Sequence, residues 1–232
     1  MKKTIEHIKT NIKMLSNLNL FVSTKEDRKK ENARKLFHVV GGLFLPFFVL
    51  LLPQKICILL NIVVLIPLLI IDYNNWILFF NKIPKGNLIT QLLRDYECVK
   101  GKLTGLSWLL IGTLIVITVF NKYIVSLSIA ILIIGDASAA LIGKNFGRIK
   151  ICGKKTLEGT LSFIISGCLV YVCFYNFIFP ANIIFNTYFV LFSIIVSAIV
   201  ELFSKNINID DNFALPLSFC LSYKIFSMFL IG

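Results

Sequence analysis

The sequence predicts an all-α, polytopic integral membrane protein with about seven transmembrane helices and an N-terminal amphipathic helix. Of its 232 residues, 57% are hydrophobic and only 16% are charged, with a mean hydropathy of +0.83. A soluble domain of this length cannot bury so much apolar surface in one core. Seven apolar runs are each about long enough to cross a bilayer. They cover residues 36–52, 56–71, 106–120, 123–142, 160–179, 185–203 and 213–231.

Residues 1–32 are predicted to form an amphipathic and juxtamembrane segment on the cytoplasmic side. Ile5, Ile8 and Ile12 recur at helical intervals between lysines, which is typical of a helix lying on an anionic membrane surface. A strongly charged stretch follows at 23–35. The remaining residues, 33–232, are predicted to form a single transmembrane domain.

The distribution of cations predicts the orientation. Ten Lys and Arg residues precede the first run, five lie between the second and third, five between the fourth and fifth, and one between the sixth and seventh. The opposite loops contain only Lys55 and Lys122. This bias places the N-terminus in the cytoplasm and, with seven spans, the C-terminus outside. It also accounts for the net charge of +12 without a nucleic-acid partner.

Polar side chains gather at the cytoplasmic ends of the runs, which predicts one site facing the cytoplasm. Asp136 lies within the fourth run, among alanines that let neighbouring helices approach. A carboxylate in that position is costly unless it is paired, bound to a metal or hydrated. Two interpretations remain open at this point: a structural ion pair with a lysine, or a functional group.

The stretch from Gly143 to Gly159 is predicted to be a basic loop that binds phosphate through its cations, its glycine amides and the N-terminus of the next helix. Its spacing excludes a P-loop, because the required second glycine is Cys152 and no strand precedes it. An ordinary positively charged loop is the alternative. The candidate nucleotide-binding residues are Gly143, Lys144, Gly147, Arg148, Lys154, Lys155 and Thr156.

Acidic and amide side chains on the same side predict Mg²⁺ coordination, because hard oxygen ligands suit this ion. Simple charge balance is the alternative. The candidate metal ligands are Asp136, Glu158, Glu201, Asp211 and Asn212.

The start of the first run adds a cationic group to the predicted site. Arg34 and His38 are one helical turn apart, and Lys35 is their neighbour. Snorkelling cations at the membrane boundary are the alternative for Arg34 and Lys35, whereas His38 lies inside the apolar run. The candidate catalytic residues are Asp136, Arg34, Lys35, His38 and Glu158.

Four motifs, taken in order, resemble the dolichol kinase family, which includes CTP-dependent diacylglycerol and phytol kinases. They are E-x-x-R-K-x-x-H-x-x-x-G from Glu31 to Gly42, G-D-x-x-A-A-x-x-G-x-x-x-G from Gly135 to Gly147, K-T-x-E-G from Lys155 to Gly159, and Glu201 followed by D-D-N-x-x-x-P from Asp210 to Pro216.

The resemblance implies a membrane kinase that moves the γ-phosphate of CTP, with Mg²⁺, onto a lipid alcohol such as a polyprenol, diacylglycerol or phytol. Arg34, Lys35, Asp136 and Gly143 match positions on which that family relies for activity. The related phosphatidate cytidylyltransferases are the first alternative, and they would use the same CTP with attack at the α-phosphorus. A non-enzymatic carrier of anionic lipid is the second, but the sequence has neither repeated halves nor polar groups through the membrane depth.

Overall fold

The computed structural model describes residues 39–74, 102–153, 155–179, 186–204 and 209–231, with side chains up to 229. These ranges contain seven α-helices and one small β-hairpin. The elements are α1 (Phe44–Leu51), α2 (Gln54–Asn74), α3 (Gly105–Val119), α4 (Lys122–Phe146), β1 (Lys150–Cys152), β2 (Lys155–Thr156), α5 (Leu157–Cys173), a π-helical turn (Phe174–Ile178), α6 (Thr187–Phe203) and α7 (Asp211–Ile231).

Each of the seven predicted apolar runs coincides with one of these helices to within a few residues, apart from the first. There the apolar helical stretch runs from Val39 to Leu51. Within the part of the chain that the structure describes, three segments are long and apolar enough to cross a membrane: Gln54–Asn74, Lys122–Phe146 and Leu157–Ile178. The shorter apolar helices pack beside them. The prediction of an all-α membrane protein is confirmed for the helical framework.

Helix α4 lies at the centre of the described structure. Its most apolar window is 72% buried, whereas those of Gln54–Asn74 and Leu157–Ile178 are each 28% buried. Close packing requires small residues along α4. A Cβ at Gly135 would lie 2.8 Å from Cε2 of the buried Phe163 on α5. The central position of α4 places Asp136 inside the protein, while the outer helices present apolar side chains to lipid.

Local capping fixes where the helices begin. The side chains of Thr104, Asn121, Thr156 and Asn186 each accept a hydrogen bond from a backbone N–H in the first turn of α3, α4, α5 and α6 respectively. Such caps satisfy amides that have no partner within the helix. Asn and Thr just before an apolar run are therefore sufficient local signals for these four starts.

A buried carboxylate that the sequence analysis did not use joins α2 to α3. Asp72 is 1% exposed, and its Oδ2 accepts hydrogen bonds from the Thr104 N–H at 2.9 Å, the Thr104 hydroxyl at 3.2 Å and the Ser107 hydroxyl at 2.6 Å. It thus serves as a second cap for α3, supplied from a different helix.

Replacing Asp72 by alanine is expected to destabilise the protein, because the Thr104 N–H and the Ser107 hydroxyl would lose a charged acceptor in a buried place. Hydrogen bonds to charged groups contribute about 1.5–3 kcal/mol, so the melting temperature in detergent should fall by several degrees. Asn74→Ala is the matched control, since among the described residues that exposed side chain bonds to the Ile70 carbonyl of its own helix. Equal melting temperatures for the two variants would contradict the capping role.

The stretch after Asp136 differs from the prediction of a loop that starts at Gly143. Helix α4 continues to Phe146, and an antiparallel hairpin then pairs Lys150 with Thr156 and Cys152 with Lys155. Gly153 lies in the hairpin turn with φ +56°, a conformation that favours glycine. The segment before Gly147 is helix α4, as the exclusion of a P-loop requires, but the hairpin that follows was not predicted. Because its strands contain only three and two residues, the sequence shows no extended alternation of apolar and polar side chains that would have predicted them.

Candidate functional site

The centre of the candidate site is the ammonium group of Lys155. The hairpin places it beside the end of α6 and the start of α7. The ammonium group forms ion pairs with Oε1 of Glu201 and, at 3.7 Å, with Oδ2 of Asp211. The side chains of these carboxylates are only 3% and 11% exposed, and that of Lys155 is 18% exposed. The three residues come from β2, the last turn of α6 and the first turn of α7.

Asp136 on α4 belongs to the same electrostatic group. Its charge interacts electrostatically with Lys155, Glu201 and Asp211. The residue is 5% exposed. We call these four residues the Lys155 cluster. With all four ionised, the cluster contains three negative charges and one positive charge, so its own lysine does not neutralise it.

The cluster keeps Lys155 protonated. Burial alone would lower the pKa of this ammonium group, but the charges of Asp211, Glu201 and Asp136 outweigh burial and raise that pKa above its ordinary value. A raised pKa in the folded state means that the stabilisation is fully present at neutral pH. It is lost only when the pH rises through that raised value.

The three consecutive polar residues at the start of α7 have separate roles. The side chain of Asp210 accepts a hydrogen bond from the Asn212 N–H at 3.0 Å and caps the helix. Asp211 reaches into the Lys155 cluster, where Ser204 donates a hydrogen bond to its Oδ1. Asn212 is 7% exposed. The sequence analysis did not identify Ser204, which carries no motif signal of its own.

Helix α3 holds the start of α7 in place. A Cβ at Gly112 would lie 3.2 Å from the Phe213 Cα and 3.3 Å from the Asn212 carbonyl oxygen, so the two backbones meet there. The rings of Trp108 and Phe213 pack edge to face at 5.7 Å. Because the cap from Asp72 fixes the start of α3, the position of Asp211 depends on contacts far from it in sequence.

The glycines of the predicted phosphate loop make a close contact between α4 and α5. A Cβ at Gly143 would lie 3.0 Å from the Thr156 Oγ1, and one at Gly159 would lie 2.9 Å from the Ala139 carbonyl oxygen. The Gly147 N–H donates to the Gly143 carbonyl oxygen at 3.2 Å, and the Thr156 hydroxyl accepts from the Gly159 N–H at 3.2 Å. These groups brace the hairpin against the helices; their predicted contact with phosphate stays a prediction.

Gly147→Ala is expected to destabilise the protein by about 1–3 kcal/mol, the usual cost of overpacking. The new Cβ would lie 2.1 Å from the Gly143 carbonyl oxygen and 2.6 Å from the Thr156 side chain. Thermal unfolding in detergent measures this effect. Gly41→Ala is the control, since a Cβ there meets no atom of the described residues within 4 Å. An unchanged melting temperature with a raised nucleotide KM would instead assign Gly147 to phosphate binding alone.

Glu158 lies apart from the Lys155 cluster. Its carboxylate accepts hydrogen bonds from the Ile149 N–H at 3.2 and 3.3 Å, so it ties α5 to the hairpin. It also borders a surface groove of about 460 Å³, which is lined by Asn145, Phe146, Gly147, Arg148 and Glu158. Lys144 is exposed on the last turn of α4. The structure therefore separates the predicted metal ligands into a buried cluster and an outlying Glu158.

Four predicted site residues, Arg34, Lys35, His38 and Lys154, lie outside the described residues. Within the ranges that the structure describes, no three His, Cys, Asp or Glu side chains converge to form a complete metal site. The carboxylates of the Lys155 cluster are therefore an incomplete set of metal ligands, and two of them already pair with the Lys155 ammonium group.

Two full-length relatives are similar to the chain. An uncharacterized protein, RP860 of Rickettsia prowazekii, is 34% identical over 217 residues, which cover 88% of this chain and 98% of the relative. A second, MJ1137 of Methanocaldococcus jannaschii, is 31% identical over 200 residues, covering 84% of this chain and 95% of the relative. The chain belongs to the family of these proteins. No family profile and no solved structure matches it.

A partial similarity connects this family to an enzyme. The dolichol kinase of Saccharomyces cerevisiae is 33% identical over 96 residues, which cover 41% of this chain and 18% of that enzyme. The kinase thus shares one region with this chain, and the rest of its length lies outside the match. The match indicates a relationship to a membrane lipid kinase family.

Proposed function

We propose that the protein is a membrane-embedded lipid kinase that transfers the γ-phosphate of CTP to a lipid alcohol. The observation that carries the proposal is the Lys155 cluster: an ammonium group on the hairpin among three buried carboxylates, two at the ends of α6 and α7 and the third within α4. The partial similarity to a dolichol kinase supports the same reaction class. Buried charged groups of this kind in a membrane protein commonly mark a functional site.

The donor set fits Mg²⁺ in its oxygen chemistry. Mg²⁺ is usually bound by one or two carboxylates together with substrate phosphates and water, and it seldom has a cage made only of protein. Asp136 and Asp211 are the carboxylates that would hold it together with the phosphates, while Glu201 pairs with Lys155 and Asn212 lies next to Asp211 in the chain. When bound with the nucleotide, the ion would offset negative charge on the phosphates. The excess negative charge of the cluster favours an added cation.

The chain's own residues position and stabilise the reacting groups. Lys155 lies beside the carboxylates, where its ammonium group can also donate to a phosphate oxygen. In the proposed reaction the lipid hydroxyl oxygen forms a bond to the γ-phosphorus, and the bond from that phosphorus to the bridging oxygen breaks. CDP leaves, and the hydroxyl proton passes to a base. We assign that base to His38 or to a carboxylate of the cluster, and Arg34 and Lys35 to the triphosphate.

CTP labelled in either the α- or the γ-phosphate tests the reaction. Purified protein is incubated with Mg²⁺ and separately with a polyprenol, a diacylglycerol, phytol and phosphatidate. Transfer of γ-label to a lipid alcohol is expected. Transfer of α-label to phosphatidate would identify a cytidylyltransferase instead. No transfer to any acceptor would contradict both enzymes and favour a carrier of anionic lipid.

We also propose that the site faces the cytoplasm, with the N-terminus inside and the C-terminus outside, as the cation bias predicts. A cysteine placed at Asn145 should react with a membrane-impermeant thiol reagent only after the cytoplasmic face is opened. A cysteine at Asn182, between the fifth and sixth apolar runs, should react from outside. The parent protein supplies the background from its native cysteines. The reverse labelling pattern would contradict the orientation and the location of the site.

A further inference from the structure

The two strands of the hairpin differ in exposure. The inner strand, β2, carries the buried Thr156 and the cluster residue Lys155. The outer side carries Ile149 and Ile151, which are 57% and 46% exposed. Ile149 directly precedes β1 and Ile151 lies within it, and together these exposed side chains form an apolar face on the outer side of the hairpin. Apolar surface is unfavourable in water, and a larger contiguous apolar surface marks a site of interaction.

This apolar face continues directly into the lipid-facing surface of α5. The Leu157 N–H donates to the Ile149 carbonyl oxygen at 2.8 Å, so Ile149 lies beside the first residue of the helix. From there an exposed apolar row follows the helix at intervals of four residues. It consists of Leu157, Leu161, Ile165 and Leu169, which are 36%, 48%, 61% and 62% exposed. This row belongs to the segment Leu157–Ile178, which is long and apolar enough to span a membrane.

Cations surround the apolar face. Lys150 is exposed between the two isoleucines. Lys144 and Arg148, on the approach to the hairpin, are also exposed. Exposed apolar side chains with cations next to them are typical of a segment that lies in the membrane interface and attracts anionic lipid.

We propose that the outer side of the hairpin inserts into the interface of the adjacent membrane leaflet and binds anionic phospholipid. Ile149 and Ile151 lie at the boundary between headgroups and acyl chains, and Lys150 lies at the lipid phosphates. This inference does not depend on the proposed kinase reaction. It has a consequence for the site, because the inner strand would then hold Lys155 at the depth of the lipid headgroups.

Fluorescence quenching by brominated lipid tests the docking. The full chain is reconstituted with Ile151→Trp or with the control Lys150→Trp, in vesicles of phosphatidylcholine and phosphatidylglycerol that carry bromine high on the acyl chains. The parent supplies the signal of its two native tryptophans. Because interfacial segments bury their apolar face ~5–10 Å into this region, the tryptophan introduced at position 151 should lose at least about twice the fraction of fluorescence lost at position 150.

Two further measurements complete the test. Vesicles of phosphatidylcholine alone should quench position 151 less, since the charge attraction is removed; equal quenching would contradict the role of anionic lipid. Acrylamide, a quencher in water, should reach position 150 better than position 151. Equal access of brominated lipid to both positions, or protection of position 151 from both quenchers by another segment of the chain, would overturn the proposal. Ile149→Trp repeats the measurement on the same face should Ile151→Trp fold poorly.

Discussion

Asp136→Asn is expected to lower turnover by several orders of magnitude while the protein remains folded. Asp136 is 5% exposed on the central helix and acts electrostatically on the other members of the Lys155 cluster. The neutral amide preserves its shape, but it is a much poorer ligand for a hard cation. In this variant Lys155 keeps its ion pairs with Glu201 and Asp211, so negative charge still balances the buried ammonium group.

The measurement is turnover with CTP and lipid acceptor, combined with thermal unfolding in detergent. Asp210→Asn is the matched control, since it removes the same charge next to the cluster while the amide can still cap α7. That control should retain most of the parental turnover. A folded Asp136→Asn protein that keeps more than about a tenth of the parental turnover has lost under ~1.4 kcal/mol of barrier, and this would contradict the metal assignment. A fall in melting temperature that accounts for the lost activity would point to a structural ion pair instead.

Lys155→Ala is expected to destabilise the protein strongly. The substitution leaves the buried carboxylates of Glu201 and Asp211 without their cation, and removing one partner of a buried pair typically costs about 3–5 kcal/mol. The expected result is a clear fall in melting temperature in detergent. Lys150→Ala, on the exposed strand of the same hairpin, should change the free energy of unfolding by less than about 0.5 kcal/mol.

A double variant separates the structural and catalytic contributions of Lys155. Adding Glu201→Gln to Lys155→Ala removes one of the three carboxylate charges that the cluster would otherwise contain without a cation, so part of the lost melting temperature should return. Turnover should stay low, since the ammonium group that donates to phosphate is still absent. Recovery of both stability and turnover would restrict Lys155 to a structural role. No recovery of stability would contradict the ion-pair geometry.

The positions of the helices could be predicted from local information. Apolar runs longer than about 15 residues specify membrane helices regardless of their neighbours, because every backbone polar group must be satisfied within the segment. The starts at Asn121 and Asn186 are likewise local, since an amide side chain before an apolar run caps the first turn. The hairpin that follows α4 could not be predicted from the sequence. Its two strands contain only five residues, so it is stabilised by contacts with other elements.

The sequence by itself determined that this is a helical membrane protein with its ionisable residues concentrated at one end of the helices. Composition and periodicity are sufficient for that conclusion. Only the tertiary structure decided which of those residues meet. It brings Lys155, Glu201 and Asp211 together, directs Glu158 to the hairpin backbone, and places Asp72 on the start of another helix. The physical reason is that an ion pair forms over a few ångströms, and these distances depend on how closely glycines such as Gly112 and Gly159 allow the helices to approach.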